Sequence, residues 1–251
     1  MQEDIFFIIQ ARVDSTRLPG KILLPFYKGR SILELLIEKL QRVEGAKIVL
    51  ATSVNPGNEA VEEFAKSKNI LCYRGDENDV LMRFIECAET YGASHIIRVC
   101  ADNPFLELES ICKLVEKAKE VSCDYISFDI FGKPSIQTHY GFWTEYVRLS
   151  ALKKIKEMTD EPFFHEHVTN YIYMHPQFFT ICWLPGPKEL RGYERIRLTI
   201  DTKADFENGQ KIYEDLVART PYPTIQDILS YLDDNPYYYD LMDAQIKNNT
   251  K

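Results

Sequence analysis

Five basic residues, Arg12, Arg17, Lys21, Lys28 and Arg30, fall in one stretch that holds a single acid, Asp14. The chain as a whole leans the other way. Its 251 residues carry 30 Lys and Arg against 38 Asp and Glu, a net charge of −8. A local cationic loop in an acidic protein suits a compact anion better than an extended nucleic-acid backbone, whose binding proteins usually carry a basic excess. Within Gln10-Ala11-Arg12-Val13-Asp14-Ser15-Thr16-Arg17-Leu18-Pro19-Gly20-Lys21 there are guanidinium forks, an ammonium, the Ser15 hydroxyl and backbone amides made approachable by Gly20. Together they suit a polyphosphate. The alternative is a solvated loop whose charges do no chemistry. The P-loop pattern ending in Gly-Lys-Ser or Gly-Lys-Thr is absent.

Two carboxylates offer a second kind of chemistry. Asp102, in Ala101-Asp102-Asn103-Pro104, and Asp201, closing Arg197-Leu198-Thr199-Ile200-Asp201, each follow an apolar run that reads as a strand. Two carboxylates brought together from distant strands could share one Mg²⁺, a hard cation that favours oxygen ligands and bridges substrate phosphates. For Asp102 the competing reading is an Asx turn or helix cap. Asp205, four residues after Asp201, reads as a helix N-cap. Phe164-His165-Glu166-His167-Val168-Thr169 superficially suggests zinc. Two histidines two positions apart on a helix point about 200° away from each other, however, so a zinc site there is disfavoured. Glu166 and His167 read instead as substrate contacts or members of a polar network, with plain solvent exposure the alternative.

The elements that must position these groups follow from hydrophobic periodicity. Strands are predicted at Ile5–Ala11, Lys47–Thr52, Ile70–Tyr73 and His95–Cys100. Helices alternate with them at Ser31 to about Val43, Asn58–Lys68, Asp79–Tyr91 and about Glu107–Lys119. Such alternation with short loops predicts an α/β fold with a mostly parallel sheet flanked by helices. Its ligands belong beyond the carboxyl ends of the strands. After Tyr125 the rhythm changes. An irregular excursion or hairpin is predicted over Ile126–His139, helices over Glu145–Lys156 and Pro162–Tyr173, and strands over Phe178–Trp183 and Arg195–Ile200. A helix from Asp205 to Ala218 and a short last one from Thr224 or Gln226 complete the chain. The expectation is a single domain over residues 1–251 with an inserted acceptor or oligomerisation segment near 125–195.

No apolar run approaches the roughly 18 residues of a membrane span. Met1-Gln2-Glu3-Asp4 lacks the basic start of a signal peptide, so the cytoplasm is expected. Six cysteines without a Cys-x-x-Cys pair suit reduced thiols packed as small hydrophobes.

Residues 9–21 resemble the I-x-A-R-x-x-S-x-R-L-P-x-K opening of the cytidylyltransferases that make CMP-activated acidic sugars, such as the CMP-Kdo and acylneuraminate synthetases. A wider collinear set resembles the spore-coat-polysaccharide branch of that family. It comprises Leu50-Ala51-Thr52-Ser53, Arg74-Gly75-Asp76 with Asp79-Val80-Leu81 and Arg83, Ala101-Asp102-Asn103-Pro104, Glu166-His167-Val168-Thr169 and Arg197-Leu198-Thr199-Ile200-Asp201. The resemblance implies a nucleotide-diphosphosugar-transferase (GT-A-like) fold. It also implies transfer of CMP from CTP to an acidic sugar or related acceptor, such as a phosphorylated polyol or phosphonate, with release of pyrophosphate in surface-glycan synthesis. It implies nucleotide contacts from Ala11, Arg12, Ser15, Arg17, Lys21, Thr52, Asp79 and Arg83, and Mg²⁺ at Asp102 and Asp201. Arg12, Lys21, Asp102 and Asp201 would carry the catalysis, with Glu166, His167 and Arg197 at the acceptor. A homodimer is expected by the same likeness, and the tyrosines Tyr222, Tyr231 and Tyr237–Tyr239 could serve either an oligomer face or the core.

The chain departs from the Kdo-activating pattern at Cys100-Ala101-Asp102, where those enzymes carry Gln-Gly-Asp, and Trp143 is unusual. Two other classes share part of this pattern. A glycosyltransferase of the related fold would typically carry an Asp-x-Asp metal motif, and Asp102-Asn103-Pro104 lacks the second Asp. A non-catalytic nucleotide-binding relative would bind without releasing pyrophosphate.

Overall fold

The computed structural model describes residues 4–248, so the N-terminal reading of Met1-Gln2-Glu3 lies outside the described residues. The run Ile5–Ile9 is buried throughout and forms, with Gln10, the strand β1 (Ile5–Gln10). Further strands are β2 (Pro25–Tyr27), β3 (Arg30–Ser31), β4 (Ala46–Ser53), β5 (Leu71–Gly75), β6 (His95–Cys100), β7 (Tyr125–Ile130), β8 (Lys133–Pro134), β9 (Glu145–Arg148) and β10 (Ile181–Pro185). The helices are α1 (Ile32–Leu40), α2 (Glu59–Ser67), α3 (Val80–Tyr91), α4 (Leu108–Glu120), α5 (Leu149–Met158), α6 (Pro162–Glu166), α7 (Asn170–Met174), α8 (Lys203–Arg219), α9 (Ile225–Asp234) and α10 (Tyr237–Asn248).

The main sheet runs β10-β7-β9-β6-β1-β4-β5, with β8 paired to β7; β2 and β3 form a separate ribbon. Strand β1 lies between β4 and β6, parallel to both. That position explains its unbroken apolar sequence, since both of its faces are covered. The register sets Gln10 beside Ala51 on one side and Cys100 on the other. The loops that follow β1 and β6, carrying Arg12–Lys21 and Asp102, therefore emerge next to each other.

Most of the expected elements are present, and four expectations are corrected. Glu145–Arg148 is the strand β9, antiparallel to both β6 and β7, and the helix begins only at Leu149. The buried triplet Glu145-Tyr146-Val147 fills a mid-sheet position, which outweighs a helical period carried by the residues after it. Pro162–Tyr173 divides into α6 and α7, because the Thr169 hydroxyl donates to Glu145 Oε1 at 2.8 Å and draws the chain out of helix. Arg195–Ile200 joins no sheet, with Arg195 in a turn and Thr199 in a bend. Its amides go to two loops, Leu198 to the His139 carbonyl at 2.9 Å and Ile200 to the Asp102 carbonyl at 3.0 Å. Asp205 is not the N-cap of α8. Thr202 holds that position, and Asp205 is the third residue of a reciprocal capping box.

Beyond α9, the structure adds one more helix, α10. Tyr231 and Tyr238 pack in the core, which answers the question of the tyrosines for those two. All six cysteines are thiols without a disulfide.

Candidate active site

A cavity of about 440 Å³ opens at the carboxyl ends of β1 and β6, walled by the loop after β1, by Cys100–Asp102, and by Glu166 and Asp201. The loop is shaped by its own bonds. The Gly20 amide reaches the Val13 carbonyl at 2.8 Å, and Gly20 itself has φ +69°, a conformation that glycine adopts without strain. From the head of α2, Asn58 accepts from the Val13 amide at 3.0 Å and donates to Asp14. Buried Thr52 in turn donates to Asn58 at 3.3 Å. On the β6 side, the buried Lys39 ammonium of α1 donates to the Pro104 and Leu106 carbonyls, fixing the turn that follows Asp102. Burial holds the Lys39 pKa down at about 8, even though Glu107 opposes the shift.

Lys21 is the centre of the charge arrangement. Its ammonium lies 3.3 Å from Asp102 Oδ2 and 3.5 Å from Asp201 Oδ1, and it donates to the Ile200 carbonyl. Arg17 reaches the same Asp201 Oδ1 at 3.0 Å from a half-exposed position. The other Asp201 oxygen is held from behind by Arg197 Nη2 at 2.7 Å. Arg197 is fully buried. Its guanidinium also engages Asp205 through two bonds of 2.9 and 3.0 Å, while Nη1 meets His139 Nδ1 at 2.9 Å. Asp205 Oδ2 accepts from the amides of Asp201 and Thr202 as well. Arg197 thus braces Asp201 and does not wall the cavity.

Seven of the residues expected at the site, Arg12, Ser15, Arg17, Lys21, Asp102, Glu166 and Asp201, meet on this one cavity. Arg12 is paired there with Glu77 at 2.7 Å. The others stand elsewhere. Ala11 is in the core, with its amide on the Ala51 carbonyl. Arg83 is buried under the turn at 76–77, donating to the Asp76 carbonyl at 2.6 Å. Burial and the nearby Arg12 charge push its pKa down to about 10. Asp79 caps α3 and pairs with His165 at 2.8 Å, whose Nε2 meets the Thr159 carbonyl at 3.0 Å. Burial disfavours the His165 imidazolium, but these two acceptors outweigh it and the pKa is raised. His167 is exposed, with its ring against Phe163.

Two further groups belong to the wall or its support. Arg98, in β6, lines the cavity and donates to Gln10 Oε1 at 3.1 Å and to Glu145 Oε1 at 2.6 Å. Glu145 is buried and also accepts from Tyr125 and Thr169. Burial works against the Arg98 charge, but Cys100 and Glu145 more than offset it and raise its pKa. The available signal was a guanidinium inside the apolar run Ile96-Ile97-Arg98-Val99.

Asp102 and Asp201 converge on one cation, the Lys21 ammonium, so their oxygens already bracket a position suited to positive charge. Among the described residues no group of three His, Cys, Asp or Glu is gathered to hold a metal ion. A divalent ion here would draw on these two carboxylates and on phosphate or water oxygens, the pattern Mg²⁺ favours.

A mostly parallel α/β sheet with a cationic loop and two facing carboxylates beyond the ends of its central strands defines an enzyme of the nucleotidyltransferase class. The chain belongs to the cytidylyltransferase family, whose pattern it matches over residues 6–240. It is 32% identical to the spore coat polysaccharide biosynthesis protein SpsF of Bacillus subtilis (strain 168), over 93% of this chain and 95% of that one. It is 26% identical to a 3-deoxy-manno-octulosonate cytidylyltransferase of Agrobacterium fabrum (strain C58), over 87% and 97%. Among solved structures, a cytidylyltransferase from Leptospira borgpetersenii superposes with a TM-score of 0.80 at 24% identity, covering 96% of this chain and 97% of the other; at that identity the likeness establishes the fold.

Proposed function

We propose that this enzyme transfers CMP from CTP to an acidic sugar or related acceptor in surface-polysaccharide synthesis. The observation that carries the proposal is the convergence of Arg17, Lys21, Asp102 and Asp201 at the mouth of β1 and β6. An acceptor oxygen attacks the α-phosphorus in line as the bond to the β-phosphate oxygen breaks. Pyrophosphate leaves, and the acceptor proton passes to water. Arg12 and Lys21 neutralise the departing pyrophosphate, with Arg17 assisting from the exposed rim; such positioning and charge neutralisation supply most of the catalysis in phosphoryl transfer. Asp102 and Asp201 would hold Mg²⁺, which supplies Lewis-acid polarisation of the phosphate when bound. Glu166 contributes to the acceptor side of the cavity. Kinship with SpsF and with the Agrobacterium enzyme supports the sugar class.

Within the expected insertion near 125–195, Phe131, Phe163, Met174, Phe178 and Trp183 are exposed, and Trp183 stands on the edge strand β10. This supports placing the contacts of a homodimer there. No described helix is long and apolar enough to cross a membrane. The cytoplasm, where CTP is made, is the proposed location.

The test is pyrophosphate release with Mg²⁺, each of the four nucleoside triphosphates and a panel of acidic sugars and phosphorylated polyols. Release with CTP alone, abolished in Asp201→Ala, is the expected result. Absence of a thermal shift with every triphosphate would overturn the reading.

A further inference from the structure

A second, smaller cavity of about 90 Å³ adjoins the first, and Cys100 and Asp102 wall both. Three other residues of its wall are nearly buried, Asn103 at 6%, Trp143 at 5% and Thr199 at 5% exposure. Each holds a buried polar atom with no hydrogen-bond partner among the described residues: Asn103 Oδ1, Trp143 Nε1 and Thr199 Oγ1. Native proteins leave few such atoms unpaired, and a cluster around one void points to a missing partner. The neighbouring wall hydroxyls are satisfied, since Ser135 pairs with Ser127 at 3.1 Å and Thr138 donates to the Ser135 carbonyl at 2.6 Å. The unmet capacity of the buried wall is therefore confined to Asn103, Trp143 and Thr199.

The chemistry of the three atoms defines what could fill the cavity. The Trp143 indole only donates, the Asn103 carbonyl only accepts, and the Thr199 hydroxyl does either. No Lys, Arg or His is in the wall, and Asp102 contributes negative charge. A carboxylate or phosphate would face Asn103 Oδ1 and Asp102 without a proton to offer. A hydroxyl meets both the donor and the acceptor. The cavity is the smaller of the two by several-fold, which suits an arm of the acceptor.

We propose that this pocket, formed by Asn103, Trp143 and Thr199, is the subsite that grips a neutral hydroxylated arm of the acceptor and holds it next to Asp102. The inference rests on the cytidylyl-transfer reading above. It makes Trp143 a specificity-determining residue, and it leaves the acceptor's anionic group to the cationic wall of the larger cavity.

The chain has two tryptophans, and Trp183 is exposed on the outer strand, so their indole N–H signals can be followed separately in ¹⁵N-labelled protein. The protein is loaded with Mg²⁺ and an α,β-methylene analogue of CTP, which cannot react. It is then titrated with N-acetylneuraminate, 3-deoxy-octulosonate, ribitol 5-phosphate or pyruvate. The Trp143 signal, assigned by its loss in Trp143→Phe, should move with at least one hydroxylated probe and stay fixed with pyruvate. With the same probe and CTP, Trp143→Phe should raise the acceptor KM about ten-fold or more and leave the KM for CTP unchanged. Thr199→Val should act in the same direction. An unmoved Trp143 signal with all three hydroxylated probes, or an equal response to pyruvate, overturns the subsite. Pyrophosphate release from a sugar that leaves Trp143 unmoved overturns the subsite alone. A Trp143 shift without turnover of that sugar supports the subsite and counts against cytidylyl transfer to that acceptor.

Discussion

Replacing Arg197 by methionine separates two roles for this residue, a contact to the acceptor or an internal brace. The side chain is fully buried and joins Asp201 at 2.7 Å, Asp205 at 2.9 and 3.0 Å, and His139 at 2.9 Å. Methionine fills much of the same volume but leaves Asp201 and Asp205 without their shared cation. Removing one partner of a buried ion pair costs about 3–5 kcal/mol. The lower end applies here, because Asp205 keeps two amide donors and Asp201 keeps Arg17 and Lys21. For a chain of this length about 3 kcal/mol corresponds to a drop in Tm of roughly 6–12 °C. Scanning calorimetry of wild type, Arg197→Met and Arg197→Lys reads the effect directly. Lysine restores charge without the fork, so it should recover only part of the loss. A brace also predicts a fall in kcat in Arg197→Met, since Asp201 loses its rear support, with little change in acceptor KM. A Tm within about 1 °C of wild type together with a raised acceptor KM would refute the brace and return Arg197 to the substrate.

Asp102→Asn keeps shape and removes charge from a partly exposed side chain, so turnover should fall by about a hundred-fold or more while Tm stays within about 2 °C; a rate near wild type at saturating Mg²⁺ would dismiss it as a ligand. His165 has a pKa raised by the Thr159 carbonyl and Asp79 against the effect of burial. A pKa higher in the folded than in the unfolded protein adds stability that is complete below about 6.5 and disappears as pH rises through the folded value. The Tm gap between wild type and His165→Gln should therefore shrink from pH 6 to pH 9, and a gap that is constant with pH would contradict the pairing. Gly141, at φ +72°, would place a Cβ 3.2 Å from the Leu198 carbonyl carbon. Gly141→Ala should cost about 2 kcal/mol, or roughly 4–8 °C in Tm, measured by thermal unfolding.

The parallel half of the fold was legible because each of its strands is a short apolar run, and each helix announces itself by a cap or a stripe. Ser31 and Asp79 do cap α1 and α3, accepting from the amides of Glu34 and Met82. The half after Tyr125 was less legible because its strands and extended segments are held by long-range bonds. The pairing of β9 with β6 and the bond from Thr169 to Glu145 depend on residues far away in sequence. The site divided along the same line. Arg12, Ser15, Arg17 and Lys21 are carried by one loop, and Asp102 follows a recognisable strand, so the pattern gave their places in the fold, while their grouping as one site came from the family resemblance. Arg197 and Asp201 sit four apart on a segment that reads like a strand, and sequence gives no sign of which way each points. The structure turns Arg197 inward, where Asp205 and His139 complete its shell, and leaves Asp201 to face Lys21. One buried guanidinium thereby fixes an oxygen of Asp201 from behind and leaves its other oxygen directed at the cavity. A carboxylate held in this way, between a buried guanidinium and the cavity, can keep its position while the cations facing it exchange partners for phosphate.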